Sequence, residues 1–196
     1  MLDGIKEKYS VVLASNSPRR RELLAGLGLQ FKVRVLPDID ESYPPELPVT
    51  ETAQYVATIK ARAYQETLAE DELLITADTV VIVGNQVLGK PADDADAHQM
   101  LRMLSGRTHQ VVTGVCLTTR QMQREFSVTT NVTFKQLTDE EIEYYVKHYH
   151  PLDKAGAYGI QEWIGYIGCT ALEGSYFNVM GLPVQRIYQE LSYFDH

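Results

Sequence analysis

The chain has 196 residues, a length that suits one domain or one domain with two lobes, and 44% of them are apolar, enough for a real core. Its net charge of −8 argues against a surface built to coat nucleic acid, so any anion site must be a local basic patch in an acidic protein. Its two cysteines, Cys116 and Cys169, form no disulfide framework or zinc spacing, and no stretch approaches the length of a membrane span.

The opening MLDGIKEKYS lacks the apolar centre of a signal peptide, and both cysteines sit in apolar runs, so reduced thiols in a cytoplasmic protein are expected. Tyr9–Ala14 is an apolar run that predicts a buried strand. Ser17 then reads as an N-cap, with Pro18 at the first position of a helix running to Gly26. Leu23, Leu24 and Leu27 give it an apolar face, and Gly28 ends it. Arg19, Arg20 and Arg21 occupy the positive end of the helix dipole, where each misplaced cation costs roughly 0.3–1 kcal/mol. Two readings fit: a phosphate site made of guanidiniums, hydroxyls and backbone N–H groups, or a solvated basic turn partly offset by Glu22.

Phe31, Val33 and Val35 alternate with Lys32 and Arg34, as in a half-exposed strand. A proline-rich loop follows, in which Asp38, Asp40 and Glu41 lie close together. Thr50 is predicted to cap a helix reaching Tyr64, with Val56, Ile59 and Ala63 as its stripe; Lys60, on composition, belongs to its surface. Leu73–Ala77 predicts a second buried strand that ends at Asp78-Thr79, with a further β run at Val80–Val83. An aspartate at such an end is a metal ligand, a general base or a turn residue. Gly84–Lys90 matches a phosphate-binding GxxxxGK loop, but Pro91 supplies no hydroxyl for magnesium, so the stretch reads as a hairpin turning at Gly84-Asn85 with Lys90 at the end of one arm.

A helix is expected from Asp93 or Asp94 to Ser105-Gly106, then a large hairpin of His109–Thr119 and Phe126–Phe134. Thr138–Glu141 is a capping box opening a helix over Glu140–Lys147. Gly156 and Gly159 crowd a small-residue stretch in which the backbone must approach something. Trp163–Ile167 is predicted as a strand, Gly174–Pro183 as a turn-rich segment, and Pro183 as the start of a last helix carrying Ile187, Tyr188 and Leu191. Alternating helices and strands followed by antiparallel β predict an α/β protein with a mixed sheet in two lobes and a cleft as its default site. Ser15, Arg19, Arg20, Glu41, Lys60, Asp78 and Lys90 form a set suited to hydrolysis of a phosphate ester or anhydride: carboxylates for a divalent metal, cations for charge on phosphate oxygens.

The run Ala14–Leu24, ASNSPRRRELL, resembles the opening signature of the Maf family of nucleoside triphosphate pyrophosphatases. The likeness continues in family order at Asp40-Glu41, Lys60–Ala63, Ala77–Val80, Gly89–Pro91, Leu104–Gly106, His109–Val111, Asp153–Gln161 and Gly181–Pro183. It implies a single domain over residues 1–196 with an elongated mixed sheet in two lobes around a central cleft, as in inosine triphosphate pyrophosphatases. It implies hydrolysis of a nucleoside triphosphate to monophosphate and pyrophosphate with Mg2+ or Mn2+. Carried over by position, Ser15, Arg19, Arg20, Lys60 and Lys90 would hold the triphosphate. Asp78 would accept the proton of the attacking water, and Glu41 would bind metal, the two roles being open to sharing. Arg19, Thr79 and Gln161 look like the branch that prefers dTTP and UTP, and modified pyrimidine nucleotides are also implied. The resemblance further implies a homodimer, while the net acidity and the lack of a long apolar stretch make neither nucleic acid nor membrane an expected partner. Two positions depart from the pattern: Glu162 follows Gln161 where glycine is usual, and Phe177 stands where a smaller residue is common.

The main rival is a nucleotide-bound regulator of septum formation or cell division without turnover, against which the intact set Glu41, Asp78, Lys60 and Lys90 speaks, because binding alone needs no general base. A metal phosphatase acting on monoesters would release free phosphate instead. A GxSxG nucleophile elbow is absent, and the five histidines show no metal spacing; His148 and His150 read as the polar end of a helix.

Overall fold

The structure is a computed structural model that describes residues 2–195. Its elements run α1 Asp3–Lys8, β1 Ser10–Leu13, α2 Pro18–Gly26, β2 Phe31–Val33, α3 Thr52–Tyr64, β3 Glu72–Val83 and β4 Gln86–Leu88. They continue with α4 Asp94–Leu104, β5 Thr108–Thr118, β6 Gln123–Phe134, α5 Asp139–Tyr149, α6 Trp163–Gly168, β7 Cys169–Glu173, α7 Tyr176–Met180 and α8 Val184–Leu191. No helix among the described residues is long and apolar enough to cross a membrane.

The chain forms two compact units, and β3, β5 and β6 each run through both. Unit 1 holds Met1–Asp78, Thr113–Val128 and Gly181–His196. Here β1 pairs in parallel with β2 (Val11↔Phe31) and with β3 (Val11↔Leu73), and β5 and β6 follow in the order β2-β1-β3-β5-β6. Parallel neighbours need crossovers, and α2 and α3 supply them. Val12, Tyr64, Leu68 and Leu74 pack together as one cluster of its core. Gly114 of β5 lies under α3: a Cβ there would come within 2.4 Å of the backbone N and Cα of Gln54. Only glycine lets helix and strand approach this closely.

Unit 2 holds Thr79–Val112 and Thr129–Met180. β4 folds back on β3 (Val81↔Leu88) around Gly84 at φ +60°, and β7 pairs antiparallel with β6 (Asn131↔Glu173). Leu101 and Leu104 of α4, Val132 and Phe134 of β6 and Tyr145 of α5 share its core. The ladders in both directions make the sheet mixed, as expected for the α/β class.

Three predicted elements are corrected. Leu73–Ala77 and Val80–Val83 form one uninterrupted strand, so Asp78-Thr79 sits mid-strand. The polar pair is tolerated there because both residues are only half-buried and the Asp78 carboxylate has a cationic partner. Trp163–Ile167 belongs to the helix α6, with Ile164 and Gly168 as its buried residues, one helical turn apart. A Cβ at Gly165 would lie 1.9 Å from the carbonyl oxygen of Ile160, so a glycine contact invisible to periodicity decides the conformation. The turn-rich segment contains the short helix α7, whose Asn178 is fully buried and donates to the carbonyl of Val111 at 3.2 Å. Smaller differences concern ends. β2 stops at Val33, and the residues expected to cap α3 form a 3-10 turn, Val49–Glu51, before it. Cys116 is buried and Cys169 is half-buried, both as free thiols.

In the core of unit 2, His109 packs edge-on against Phe134 and hydrogen-bonds the Tyr158 hydroxyl through Nε2, while Nδ1 is buried without a partner. Burial lowers its pKa from 6.5 to about 4. The folded state therefore refuses a proton that the unfolded chain accepts below 6.5, and stability falls as pH drops from about 6.5 towards 4. The expected loss is about 3 kcal/mol, from 1.36 kcal/mol per pH unit. Urea midpoints between pH 7 and 4.5 should fall more steeply for wild type than for His109→Gln; parallel curves would refute this account.

Candidate active site

The centre of the candidate site is built entirely within unit 1. Ser17 caps α2 by accepting the N–H of Arg20 at 3.3 Å, and the buried Ser15 accepts the N–H of Ser17 at 3.1 Å. These bonds hold the turn that aims Arg19 and Arg20. Two expected free amides are thus taken by the two serines. Arg20 Nε donates to the carbonyl of Gly181 at 2.7 Å, and Nη1 to that of Ala77 at 3.2 Å. Burial pushes the Arg20 pKa down, Asp78 and Glu41 pull it back up, and Arg19 works against them.

Lys60, read from composition as a surface lysine, is a correction of larger consequence. Its side chain is 15% exposed, and its Nζ lies 3.3 Å from Asp78 Oδ1 and 3.4 Å from Glu41 Oε1. It also donates to the carbonyl of Ala77 at 3.3 Å. One ammonium therefore binds two carboxylates from different parts of the chain: Asp78 from mid-β3, Glu41 from the loop after β2. Tyr64 holds the start of that loop. Its hydroxyl accepts the N–H of Leu36 at 2.8 Å and donates to the carbonyl of Arg34 at 3.0 Å.

Asp78 is 19% exposed. Burial raises its pKa above 3.8; Lys60 and Arg20 oppose the shift, and Glu41 adds to it. In its ionised form a carboxylate held this way is a better proton acceptor than an ordinary aspartate. The pair also answers whether a metal fits. Two carboxylates suit a magnesium-type ion that draws its other ligands from phosphate oxygens and water. They do not suit an all-protein cage, and no group of three or more His, Cys, Asp or Glu placed to hold a metal occurs among the described residues.

Thr79, Lys90 and Gln161 belong to unit 2. Thr79 follows Asp78 along β3, half-buried. Lys90 is exposed in the loop after β4, and no helix begins at it, which agrees with rejecting a phosphate-binding loop there. Gln161 is half-buried, and its Oε1 is buried without a hydrogen-bond partner. A separate groove of about 400 Å³ runs beside α3 in unit 1, lined by Leu47, Gln54, Tyr55, Ile59, Arg62 and Glu125 among others. None of the candidate site residues lines it.

Two supporting residues escaped the sequence reading. Gly114 seats the helix that carries Lys60, and its signal was a glycine inside the β run VVTGVCL. Along the chain Tyr64 reads only as the end of a helix; nothing local marks its hydroxyl as a loop anchor.

A family model described as Maf-like protein matches residues 10–194. The chain is 60% identical over 191 residues to a dTTP/UTP pyrophosphatase of Phocaeicola vulgatus, covering 97% of this chain and 98% of that protein. It is 58% identical over 194 residues to a dTTP/UTP pyrophosphatase of Parabacteroides distasonis, covering 99% and 100%. Among solved structures, the Staphylococcus aureus Ham1 protein superposes with a TM-score of 0.53 at 16% identity, over 95% of this chain and 98% of the other. That likeness concerns the fold alone.

Proposed function

We infer that this chain, which belongs to the Maf-like protein family over residues 10–194, hydrolyses nucleoside triphosphates to the monophosphate and pyrophosphate, with dTTP and UTP as its substrates. The observation that carries the chemistry is the Lys60 ammonium shared by Asp78 and Glu41. Arg19, Arg20, Lys60 and Lys90, with the Ser15 hydroxyl, would bind the triphosphate, matching its charge with cations. Asp78 takes a proton from water as the water oxygen bonds to the α-phosphorus. The bond from that phosphorus to the bridging oxygen breaks, and pyrophosphate leaves. Lys60 favours the ionised form of Asp78 and orients it for that transfer. Glu41 and Asp78 would hold the divalent cation, Mg2+ or Mn2+, which supplies further neutralisation of the phosphate oxygens when bound. Thr79, Arg19 and Gln161 would set the base preference. We extend the reading to a homodimer that acts on the free nucleotide pool of the cytoplasm, including modified pyrimidine nucleotides.

A regulator without turnover is less well supported, because a buried carboxylate with a raised pKa beside a lysine costs stability that binding alone does not require. Product analysis tests the reading. Incubation with dTTP or UTP and magnesium should release monophosphate and pyrophosphate, and a chelator should abolish the release. Free phosphate would replace this reading with a phosphatase. Tight nucleotide binding without any product would replace it with the regulator.

A further inference from the structure

The Glu41 side chain is 51% exposed, so packing around it does not hold it against Lys60. Its backbone, however, reaches the site along a short path with little freedom. The path begins at Tyr64, whose ring is 1% exposed. The Tyr64 hydroxyl donates to the carbonyl of Arg34 at 3.0 Å and accepts the N–H of Leu36 at 2.8 Å. Arg34 is fixed again by its own N–H, which donates to the carbonyl of Leu13 at 3.1 Å, and by its guanidinium on the buried Glu72. Pro37 then has a locked φ, and Asp38 takes a left-handed conformation at φ +57°. Leu36 and Ile39, on either side of this bend, pack onto the cluster of Val12, Tyr64, Leu68 and Leu74. Glu41 lies two residues beyond Ile39, and its Oε1 is 3.4 Å from Lys60 Nζ. Lys60 and Tyr64 are four residues apart in α3 and so share one face, one turn apart. One face of one helix thus holds segment 34–41 at both ends: Tyr64 takes its backbone at 34 and 36, and Lys60 takes its carboxylate at 41.

We propose that Tyr64 is a positioning residue for the reaction, whose hydroxyl fixes the backbone that carries Glu41 and thereby sets the place of that carboxylate as a divalent-cation ligand. This rests on the reading of Glu41 as a metal-binding residue. Tyr64 acts through the loop alone. A phenylalanine keeps the ring and its packing but removes both hydrogen bonds, so the Arg34 carbonyl and the Leu36 N–H lose their shared partner. The start of the loop is then less firmly held. An exposed carboxylate on a looser backbone spends less of its time where the cation needs it.

The test is a double-variant cycle of Tyr64→Phe and Glu41→Gln, with Leu68→Ala as the control. Mn2+ is the probe, and its binding is read from the paramagnetic resonance of the free ion, with protein in excess over the α,β-imido analogue of UTP. Thermal midpoints check folding. Tyr64→Phe is expected to raise the Mn2+ Kd about tenfold, and to raise the magnesium concentration that half-saturates pyrophosphate release from UTP by a similar factor. Glu41→Gln should raise the Mn2+ Kd at least about tenfold. Adding Tyr64→Phe to it should change little further, because the carboxylate that Tyr64 serves is gone. Leu68→Ala removes apolar volume from the same cluster but leaves both hydrogen bonds of Tyr64 in place. It should lower the thermal midpoint and leave Mn2+ binding unchanged. An unchanged Mn2+ Kd in Tyr64→Phe, additive losses in the double variant, or an equal loss in Leu68→Ala would overturn the proposal. Glu41→Gln without effect on Mn2+ binding would remove Glu41 as a ligand and overturn it too. If the wild type binds Mn2+ with the analogue but releases no pyrophosphate from UTP, the hydrolase reading fails while the binding cycle still decides the role of Tyr64.

Discussion

Asp78→Asn is expected to lower kcat by about 10²–10⁴-fold, the usual contribution of a positioned general base. The substitution keeps the shape and an oxygen for Lys60 but removes the group that takes the proton. Nucleotide binding should persist, because the cations remain and one negative charge near the triphosphate is gone. The variant should also be at least as stable as wild type. Burial raises the Asp78 pKa above its unfolded value, so ionising it costs folding free energy as pH rises through that raised value, and asparagine escapes this cost. Loss of activity with undiminished stability separates catalysis from misfolding. The wild-type rate should fall on the acid side at a pH above 3.8, the ordinary aspartate value, because the base must be ionised to work. Pyrophosphate release measured in single-turnover and steady-state modes checks the first point, and denaturation the second. Turnover within twofold of wild type would remove Asp78 from the role.

Gly114→Ala is expected to destabilise unit 1 by about 3 kcal/mol and to reduce turnover at least tenfold. The added methyl group would meet the backbone N and Cα of Gln54 at 2.4 Å and the carbonyl carbon of Ala53 at 2.5 Å. Main-chain atoms have no alternative rotamer, so α3 itself must shift. Lys60 rides on α3, and its contacts of 3.3 and 3.4 Å to Asp78 and Glu41 leave little room for displacement. Urea denaturation and kcat measured together test both parts. A variant with the wild-type midpoint would mean that strand and helix can separate without cost.

How much of this was readable along the chain depended on the range of the interaction. The cap of α2 uses Ser17 and Arg20, three residues apart, and the capping box of α5 uses Thr138 and Glu141, so both were visible as spacing. The hairpin at Gly84 needed only a left-handed residue between two β runs. Asp78 was harder. As a polar residue after an apolar run it looked like a strand end, but pairing with strands far away in sequence carries β3 through it. α6 failed as a sequence prediction for a similar reason: its Gly165 reports a contact with Ile160, and the pattern of apolar residues alone reads as β.

The sequence by itself determined the α/β class, the caps and turns and the family, because these depend on residue type and on neighbours a few positions away. Only the tertiary structure decided that Lys60 is a shared counter-ion and that Gly114 seats its helix. Each of these depends on burial and on distances of a few ångströms between side chains or backbone brought together by folding, and charge, pKa and packing acquire their values only once water has been removed from between them.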